Sequence, residues 1–302
     1  MLEVQANGFG PCVLSYGGDT FNTSVYLRRC ASRQAIEVSY ATGLGFDPLS
    51  QQLKQAWTAL GLNLSAIQFI DGKLPGMYLI ETDDKGERSF HFWRESSAAR
   101  AYFQAAETAL EKNAHTYDCI YFSGISLAIL DDASRQRLFS LLKNVRATGC
   151  RVVFDNNFRP KLWPSLETAQ QVYREALSIC HTAMITLDDH QAVFAKTHFD
   201  DALRHAQALD IPEVLIKRGA DSTLVREATG ASWQTIATER VEHVIDTTAA
   251  GDSFAAGYLS RRLLGESAIA SAAFGNRLAA RVIQHRGALI PETVMSDLAW
   301  QL

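Results

Sequence analysis

Strand and helix signals alternate through most of this 302-residue chain, and this alternation restricts its fold more than any other feature. Each strand signal is a short apolar, β-branched run with a helix-period pattern near it. The runs are YDCIYFSG at 117–124, CRVVFD at 150–155, TAMIT at 182–186 and EVLIK at 213–217. Repeated units of this kind predict a mostly parallel sheet with right-handed crossovers and helices on both faces. Because no fixed-period repeat or linker divides the chain, residues 1–302 are expected to form one α/β domain.

An earlier run, IEVSYAT at 36–42, predicts one more strand of the same kind. Asp47 and Pro48 follow it as a helix N-cap and a first-turn proline, and apolar residues at helical spacing continue to Leu60. The sequence therefore predicts a strand at 36–42 that leads into a helix.

One segment, residues 76–94, breaks the alternation. Two β-prone arms flank DDKG at 83–86, which is the signal of a hairpin, and Val4 to Tyr16 can supply further antiparallel strands. We expect these strands to form a small β-sheet lid over the main sheet, built from about residues 3–18 and 66–96. A lid of this kind can close a reaction site against water.

Composition restricts the possible partners. A formal charge of −4 gives no electrostatic reason to expect binding to nucleic acid or to an anionic membrane. The five cysteines are far apart and contain no Cys-x-x-Cys pair, which argues against a disulfide framework or a zinc site. No apolar run approaches the roughly 20 residues that span a bilayer. We therefore expect a cytoplasmic protein whose partners are small molecules, with no nucleic acid or membrane among them.

The stretch DTTAAGDSFAAGYL at 246–259 carries the strongest chemical signal. Ala249, Ala250 and Gly251 lie where a helix is predicted to begin, and such small residues let backbone amides approach an anion. Asp252, beside that anion hole, is placed to act as a base for a hydroxyl that attacks phosphorus. From composition alone, Asp252 can equally be an ordinary first-turn carboxylate favoured by the helix dipole.

This stretch resembles the second signature of the ribokinase-like (PfkB) carbohydrate kinases. Further blocks that resemble the family are YGGDTFNTSVYL at 16–27, LPGMYLIETDDKGERSF at 74–90, FSGISLAIL at 122–130, FDNNFRPKLW at 154–163, IKRGADS at 216–222 and VIQHRGALIP at 282–291. The resemblance therefore covers nearly the whole chain. It implies a ribokinase-like three-layer α/β sandwich with a mostly parallel central sheet and a small β-sheet lid. It also implies ATP as phosphoryl donor, Mg²⁺ as metal, and Asp252 as base beside the anion hole.

Among family members, the blocks are most similar to those that act on 2-keto-3-deoxygluconate, so this sugar acid is the expected acceptor. Its carboxylate calls for planar cations, and Arg159 and Arg94 are the candidates. The resemblance places both near the acceptor, and the remaining acceptor-site candidates are Gly18, Asp19, Asn22 and Tyr78. Two of these residues have an alternative explanation without a role in binding. Arg94 can be a solvated side chain at the end of the hairpin, and Tyr78 can be an aromatic residue in the core of the lid.

The nucleotide site is expected around the loop after EVLIK. The resemblance places Lys217, Arg218, Gly219 and Asp221 along the ATP phosphates, together with Gly251, and puts Asn276 and Gly287 near the adenine. Asn276 as an ordinary exposed helical residue is an equal alternative. By similarity, Asp246 would organise its loop or a monovalent cation such as K⁺, although it can also simply cap its own turn.

Two departures from the family pattern stand out. A first strand ending in Gly-Glu, which precedes the segment aligned with Met1 to Val4 in the family, is absent, so the central sheet is expected to lose a strand. The family's Asn-x-x-Glu motif corresponds here to Asp188 and Gln191, which leaves Asp188 or Asp189 to hold the water shell of the metal.

Two other functions remain compatible with the sequence. One is a related kinase for a neutral sugar such as fructose or ribose, which has no use for two convergent arginines. The other is a catalytically weak sugar-acid sensor, supported only by the two departures. Family analogy also predicts a homo-oligomer that forms through the lid.

Overall fold

The structure is a computed structural model that describes residues 1–6, 10–82 and 88–298. Its strands are β1 Leu2–Ala6, β2 Cys12–Tyr16, β3 Thr42–Leu44, β4 Ile67–Phe69, β5 Met77–Thr82, β6 Arg88–Trp93, β7 Cys119–Ser123, β8 Arg151–Asp155, β9 Thr182–Thr186, β10 Glu213–Lys217, β11 Ser222–Arg226 and β12 Gln234–Ala237. Its α-helices are α1 Asp19–Cys30, α2 Pro48–Ala59, α3 Ala109–Lys112, α4 Gly124–Ala128, α5 Asp132–Ala147, α6 Leu166–Ile179, α7 Leu187–Val193, α8 Phe199–Gln207, α9 Ala250–Arg262 and α10 Ala268–Val282. Short 3₁₀ helices cover Ala98–Gln104, Ala114–Thr116, Pro160–Leu162 and Glu292–Met295.

The central sheet has six strands in the order β12-β11-β10-β9-β8-β7. The four strands predicted from the alternating pattern, β7 to β10, are parallel, whereas β11 and β12 extend the sheet in antiparallel fashion. Apolar runs without a polar face form these strands because both faces of the sheet are covered. The prediction of a mostly parallel sheet is confirmed.

Two hydrophobic cores lie on opposite faces of this sheet. Val152 and Phe154 of β8 point into the core formed with α5 to α8, while Val153 between them points into the core formed with α1, α2, α9 and α10. Successive side chains of a strand alternate between faces, so one strand serves both cores. The result is a helix–sheet–helix sandwich of three layers.

The small sheet has four strands in the order β2-β1-β5-β6. The two predicted hairpin arms, β5 and β6, pair antiparallel, as do β1 and β2, and β1 joins β5 in parallel. The predicted DDKG turn at 83–86 lies outside the described residues. The expected lid boundary near residue 66 is too early, because Ile67–Phe69 pairs with β3 and not with the small sheet.

The predicted strand at 36–42 is wrong in its extent. Only Ser39 forms a bridge, to Asn63, before the three-residue strand β3 begins at Thr42 and pairs with β4 from Ile67. The offset between partners is 24 residues at Ser39 and 25 at Thr42, so one extra residue on the partner segment interrupts the ladder. Helix α2 follows as predicted, with the Asp47 side chain accepting a hydrogen bond from the Ser50 amide.

The pair β3–β4 forms a separate two-stranded sheet. Within the described part of the chain, no strand pairs with the outer edge of β7. None of the described helices is long and apolar enough to span a bilayer.

Candidate active site

The candidate site lies where the carboxyl ends of three parallel strands meet. Ser123, Asp155 and Lys217 are the last residues of β7, β8 and β10, and polar side chains at this edge of a parallel sheet face the usual ligand crevice. Helices α1 and α9 begin at the same edge, and α1 packs along α9. The arrangement therefore brings two helix N-termini and three strand ends together.

The N-terminus of α9 leaves several backbone amides without an acceptor among the described residues. Its N-cap, Ala249, has the left-handed φ of 61° and no side-chain cap, a conformation that is uncommon outside glycine. The Ala250 amide donates to Thr247 O at 3.2 Å, whereas the amides of Ala249, Gly251 and Asp252 have no acceptor among the described residues. The sequence predicts free amides at Ala249, Ala250 and Gly251. The structure differs only at Ala250, and unpaired amides at a helix start are donors available to an anion.

The Asp252 carboxyl lies beside these amides and is fixed by α1. Asn22 Nδ2 donates to Asp252 Oδ2 at 2.8 Å, and Thr23 Oγ1 donates to the Asp252 carbonyl at 3.3 Å. Burial, and to a lesser extent the nearby charge of Asp19, raise the pKa of Asp252 to about 7, although the Asn22 hydrogen bond and the Lys217 charge oppose this effect. A carboxylate with a pKa near neutrality is suited to accept a proton from a hydroxyl.

Asp19 forms the second carboxylate of the site. Its Oδ2 atom accepts hydrogen bonds from Ser123 Oγ and, at 3.1 Å, from Asn157 Nδ2. Burial raises the pKa of Asp19 as well. Gly18, at the N-cap of α1, has a φ of 148°, which favours glycine. Sequence reasoning missed Ser123 and Asn157, although both stand at or just beyond the carboxyl end of a predicted parallel strand.

Arg94 and Arg159 converge on Asp19 from two different elements. Arg94 follows β6 of the lid and lies over the Phe92 ring, with its Cζ 4.2 Å from the centroid. Burial lowers the pKa of Arg94, Glu95 and Asp19 oppose that effect, and the positive charge of Arg159 adds to it. Arg159 itself is half exposed, with Nη1 3.6 Å from Asp189 Oδ2. The charges of the two guanidinium groups therefore act on Asp19 and on each other.

Tyr78 is a buried residue of the lid with a polar partner that sequence reasoning missed. Its hydroxyl donates to the carboxylate of Glu3, which is only 5% exposed. The other oxygen of Glu3 accepts from Gln5 Nε2 at 2.7 Å and from Ser15 Oγ at 3.0 Å. The Tyr78 hydroxyl also lies 3.1 Å from the position that a Cβ would take on Gly17. No signal identified Glu3, because a single Glu on a lid strand reads as a solvated residue.

Lys217 and Asp155 form a buried ion pair beneath the anion hole. Lys217 Nζ lies 2.8 Å from Asp155 Oδ2. The following loop turns sharply: Arg218 bonds to Ser222 through both its backbone and its side chain, and Gly219 has a φ of 62°. Asp221 closes this turn through its amide, which donates to Arg218 O. Asp155 was not identified from the sequence.

The residues expected near the adenine have internal partners. The buried Asn276 accepts from Thr223 Oγ1 at 2.9 Å and donates to Ala237 O at 3.0 Å, so both ends of its amide are engaged. Asp246 accepts from Thr248 and from the Gly287 amide, which lies 2.8 Å from Oδ2. Asp246 therefore joins the loop before α9 to the loop after α10, where Gly287 has a φ of 87°.

The two carboxylates considered for the metal differ in their surroundings. Asp188 is exposed in the first turn of α7. Asp189 is partly buried, accepts from the Phe158 amide at 3.1 Å, and has its pKa raised by burial. In the described part of the chain, no group of three or more His, Cys, Asp and Glu side chains is arranged to hold a metal. One carboxylate is sufficient for a Mg²⁺ ion that keeps most of its water and binds phosphate oxygens, and Asp189 meets this requirement better than Asp188.

A surface depression of about 430 Å³ lies elsewhere, against α5. Arg137, which lines it, already donates to the backbone carbonyls of Phe103 and Ala105 and pairs with Glu111. Its arginine and its carboxylate are therefore paired with each other, and the depression is separate from the strand-end site.

Comparisons with known proteins bear on the family and on the fold. The sequence profile described as "pfkB family carbohydrate kinase" matches residues 10–294. Relatives named 2-dehydro-3-deoxygluconokinase, from Escherichia coli K12 and from Dickeya dadantii 3937, are each 45% identical to the chain, over 98% of this chain and 96% of the relative.

Solved structures with low sequence identity share the fold. The PfkB protein from Polaromonas sp. JS666 has a TM-score of 0.80 at 20% identity and covers 94% of this chain and 93% of its own. Fructokinase with bound ATP from Xylella fastidiosa has a TM-score of 0.80 at 20% identity, covering 97% and 92%. The fold is ribokinase-like, as expected. With a family profile that spans most of its length, the chain belongs to the pfkB family of carbohydrate kinases.

Proposed function

We propose that this kinase transfers the γ-phosphoryl group of ATP to the terminal hydroxyl of 2-keto-3-deoxygluconate and forms the 6-phosphate. The names of the 45% identical relatives support this acceptor, which is also called 2-dehydro-3-deoxygluconate. The observation that carries the proposal is that Arg94 and Arg159, from two different elements, both lie near enough to Asp19 for their charges to interact with it. Two guanidinium groups suit a carboxylate and are not needed for a neutral sugar.

At the acceptor end, the arginines bind the sugar-acid carboxylate, while Asp19, Asn22 and the backbone at Gly18 bind its hydroxyls. Tyr78 contributes its phenolic oxygen. Because the phenolic proton is donated to Glu3, that oxygen can only accept a hydrogen bond, and it therefore selects an acceptor hydroxyl over a ketone.

At the reacting end, Asp252 takes the proton of the terminal hydroxyl. The free amides at the start of α9 stabilise the charge on the transferring group. ATP supplies that group and Mg²⁺ neutralises phosphate charge. The unpaired amides of Ala249 and Gly251, with the buried Lys217 ammonium below them, are the features of this chain that fit a triphosphate.

Around the nucleotide, Arg218, Gly219 and Asp221 lie along the phosphates. Gly287 lines the adenine pocket, and Asn276 forms its wall through internal hydrogen bonds. Asp189 or its neighbour Asp188 holds the water shell of Mg²⁺. The loop that Asp246 organises is the proposed site for K⁺.

We also assign a single domain over 1–302, with the four-stranded sheet as lid, and a homo-oligomer that forms through it. Alternate residues of a strand share a face, so the exposed Val13, Phe90 and Phe92 lie on the same face as Tyr78. An exposed apolar sheet face of this kind is typical of an interface. An enzyme that consumes ATP is expected in the cytoplasm.

The test is a coupled ADP-release assay with Mg-ATP, which compares 2-keto-3-deoxygluconate with gluconate, fructose and ribose. We expect turnover with the keto-deoxy acid and a loss of at least tenfold in kcat/KM with the others. The Asp252→Asn variant is the control for contaminating kinases. Equal or better turnover of fructose or ribose would overturn the assigned acceptor, and ligand binding without ADP release would overturn the assigned reaction.

A further inference from the structure

The buried ion pair of Lys217 and Asp155 leaves part of the hydrogen-bonding capacity of the Lys217 ammonium unused. Both side chains are nearly inaccessible, at 10% and 5% exposure, and Nζ lies 2.8 Å from Asp155 Oδ2. An ammonium carries three protons, and no second acceptor for Nζ occurs among the described residues. A buried charged donor without acceptors is costly, so the remaining protons are expected to have a partner in the working enzyme.

The position of Nζ indicates that partner. It lies 3.6 Å from the point that a Cβ would occupy on Gly251, so it is directly below the first turn of α9. The same atom is 5.9 Å from the centre of the Phe254 ring on the next turn. The uncommitted protons of Lys217 and the uncommitted amides of this helix therefore surround the same position.

Asp155 is itself held in place. Its Oδ1 atom accepts from the Asn157 amide at 3.2 Å, which fixes the carboxylate at the turn after β8, while Oδ2 binds Lys217. The two residues end strands that are separated by β9, so the pair spans the floor of the crevice. Without this anchor, the flexible Lys217 side chain would be free to pair with the Asp252 carboxylate and to neutralise the base.

We propose that Asp155 is a positioning residue, which holds the Lys217 ammonium toward the anion at the start of α9 and away from the Asp252 carboxylate. This inference rests on the kinase function proposed above. It assigns Asp155 a role in the transfer step that depends on Lys217.

The electrostatics of the site support this arrangement. The charge of Asp155 raises the pKa of Asp252, and that of Lys217 lowers it. The other groups that face Asp252 come from three elements, and they include Asp19, Asn22 and Tyr26 of α1, Tyr78 of the lid and Tyr121 of β7.

The chain provides a matched control at the opposite ends of the same two strands. Arg151 begins β8 and Glu213 begins β10, and the partly exposed arginine pairs with the buried glutamate at 3.0 Å. This pair is about 13 Å from the crevice, because a five-residue strand spans about that length. Arg151→Met therefore breaks an ion pair between the same strands without touching the site.

The first experiment is a double-mutant cycle with Asp155→Asn and Lys217→Met. We expect kcat to fall about 10- to 100-fold in the first variant and about 10²- to 10³-fold in the second, with the KM for the sugar acid changed less than about threefold. In the Lys217→Met background, adding Asp155→Asn should cost no further kcat, because Asp155 acts through Lys217. Independent, multiplying losses would overturn the proposal.

The second experiment needs no turnover and therefore separates this inference from the assigned acceptor. The titration of the Asp252 carboxyl is followed by ¹³C NMR in the protein without ligands. We expect the titration to move to lower pH in Asp155→Asn and to higher pH in Lys217→Met, and to stay unchanged in Arg151→Met. The shift that Asp155→Asn causes should be smaller in the Lys217→Met background, where no ammonium can approach Asp252.

An unchanged Asp252 titration in Asp155→Asn, together with a lower melting temperature, would show a purely structural pair and overturn the proposal. If Asp155→Asn does not fold, Asp155→Glu replaces it. This variant keeps the negative charge but moves the carboxylate that binds Lys217. The proposal requires that it still lower kcat. Absence of turnover in the wild-type chain would contradict the proposed function alone, since the titrations test the inference independently.

Discussion

Replacing Asp252 with Asn should make the enzyme inactive and more stable at the same time. The side chain is held among Asn22, Asp19 and Asp155, where burial and like charges raise its pKa to about 7. An amide of the same shape keeps the Asn22 hydrogen bond and carries no charge. We expect kcat to fall by about 10² to 10⁴ because the proton acceptor is lost.

The gain in stability follows from the pKa. The carboxyl titrates at about 7 in the folded protein against an ordinary value of 3.8, a rise of about three pH units. At about 1.4 kcal/mol for each pH unit, the charged form costs the fold up to about 4 kcal/mol. Because Asp252 keeps partial access to solvent from the crevice, we expect about half of this, about 2 kcal/mol.

The contribution of Asp252 to the stability of the fold depends on pH. A carboxyl whose pKa is raised on folding stabilises the folded state below about pH 4, and this contribution is lost as the pH rises through about 7. Relative to wild type, Asp252→Asn should therefore gain about 3 °C in melting temperature at pH 8 and almost nothing at pH 4.

The assay is thermal unfolding of both proteins between pH 4 and pH 8, without ligands. Asp200→Asn is the matched control, since it replaces an exposed carboxylate in the first turn of α8. It should show no gain that depends on pH. If Asp252→Asn is no more stable than wild type at pH 8, the charged Asp252 carboxylate does not destabilise the fold, and the reasoning is refuted.

Three further predictions address the acceptor pocket and the lid. The kcat/KM for the sugar acid should fall about tenfold per pH unit below about 7, where Asp252 becomes protonated, and a profile that is flat down to pH 5 would contradict its role as base. Arg159→Ala should raise the KM for the sugar acid at least about tenfold, measured beside the KM for ATP, which should not change; an unchanged acceptor KM would indicate a neutral sugar. Val13→Asp with Phe90→Asp should convert an oligomer into a monomer in light scattering, and an unchanged mass would exclude this lid face as the interface.

Much of the fold was predictable because it depends on local patterns. The strands β7 to β10 are apolar runs of five residues with strand-forming side chains. A helix follows each of β7, β8 and β9, whereas β10 is followed by the strand β11. The strand at 36–42 failed because a local pattern does not reveal how many residues its partner segment holds. The ladder opposite Asn63 and Ile67 is interrupted by one extra residue, and only pairing in three dimensions exposes that mismatch.

In the candidate site too, the residues that were identified from the sequence are those with a local signal. Asp252 and the residues before it were identified because small residues next to an acidic one at a helix start are a local signal. Glu3 and Asp155 were not identified, because a single acidic residue in a strand carries no such signal. Their partners, Tyr78 and Lys217, are 75 and 62 residues away along the chain.

By itself, the sequence determined the sandwich, the helix start with small residues before Asp252 and the family, since these depend on residues that are near one another in the chain or on similarity along it. Only the tertiary structure decided which carboxylates face each other. It also decided that Lys217 pairs with Asp155 and that the charges of Arg94 and Arg159 both act on Asp19. These features depend on which strand ends and helix starts meet at one edge of the sheet, and burial there sets the pKa of Asp252 near neutrality.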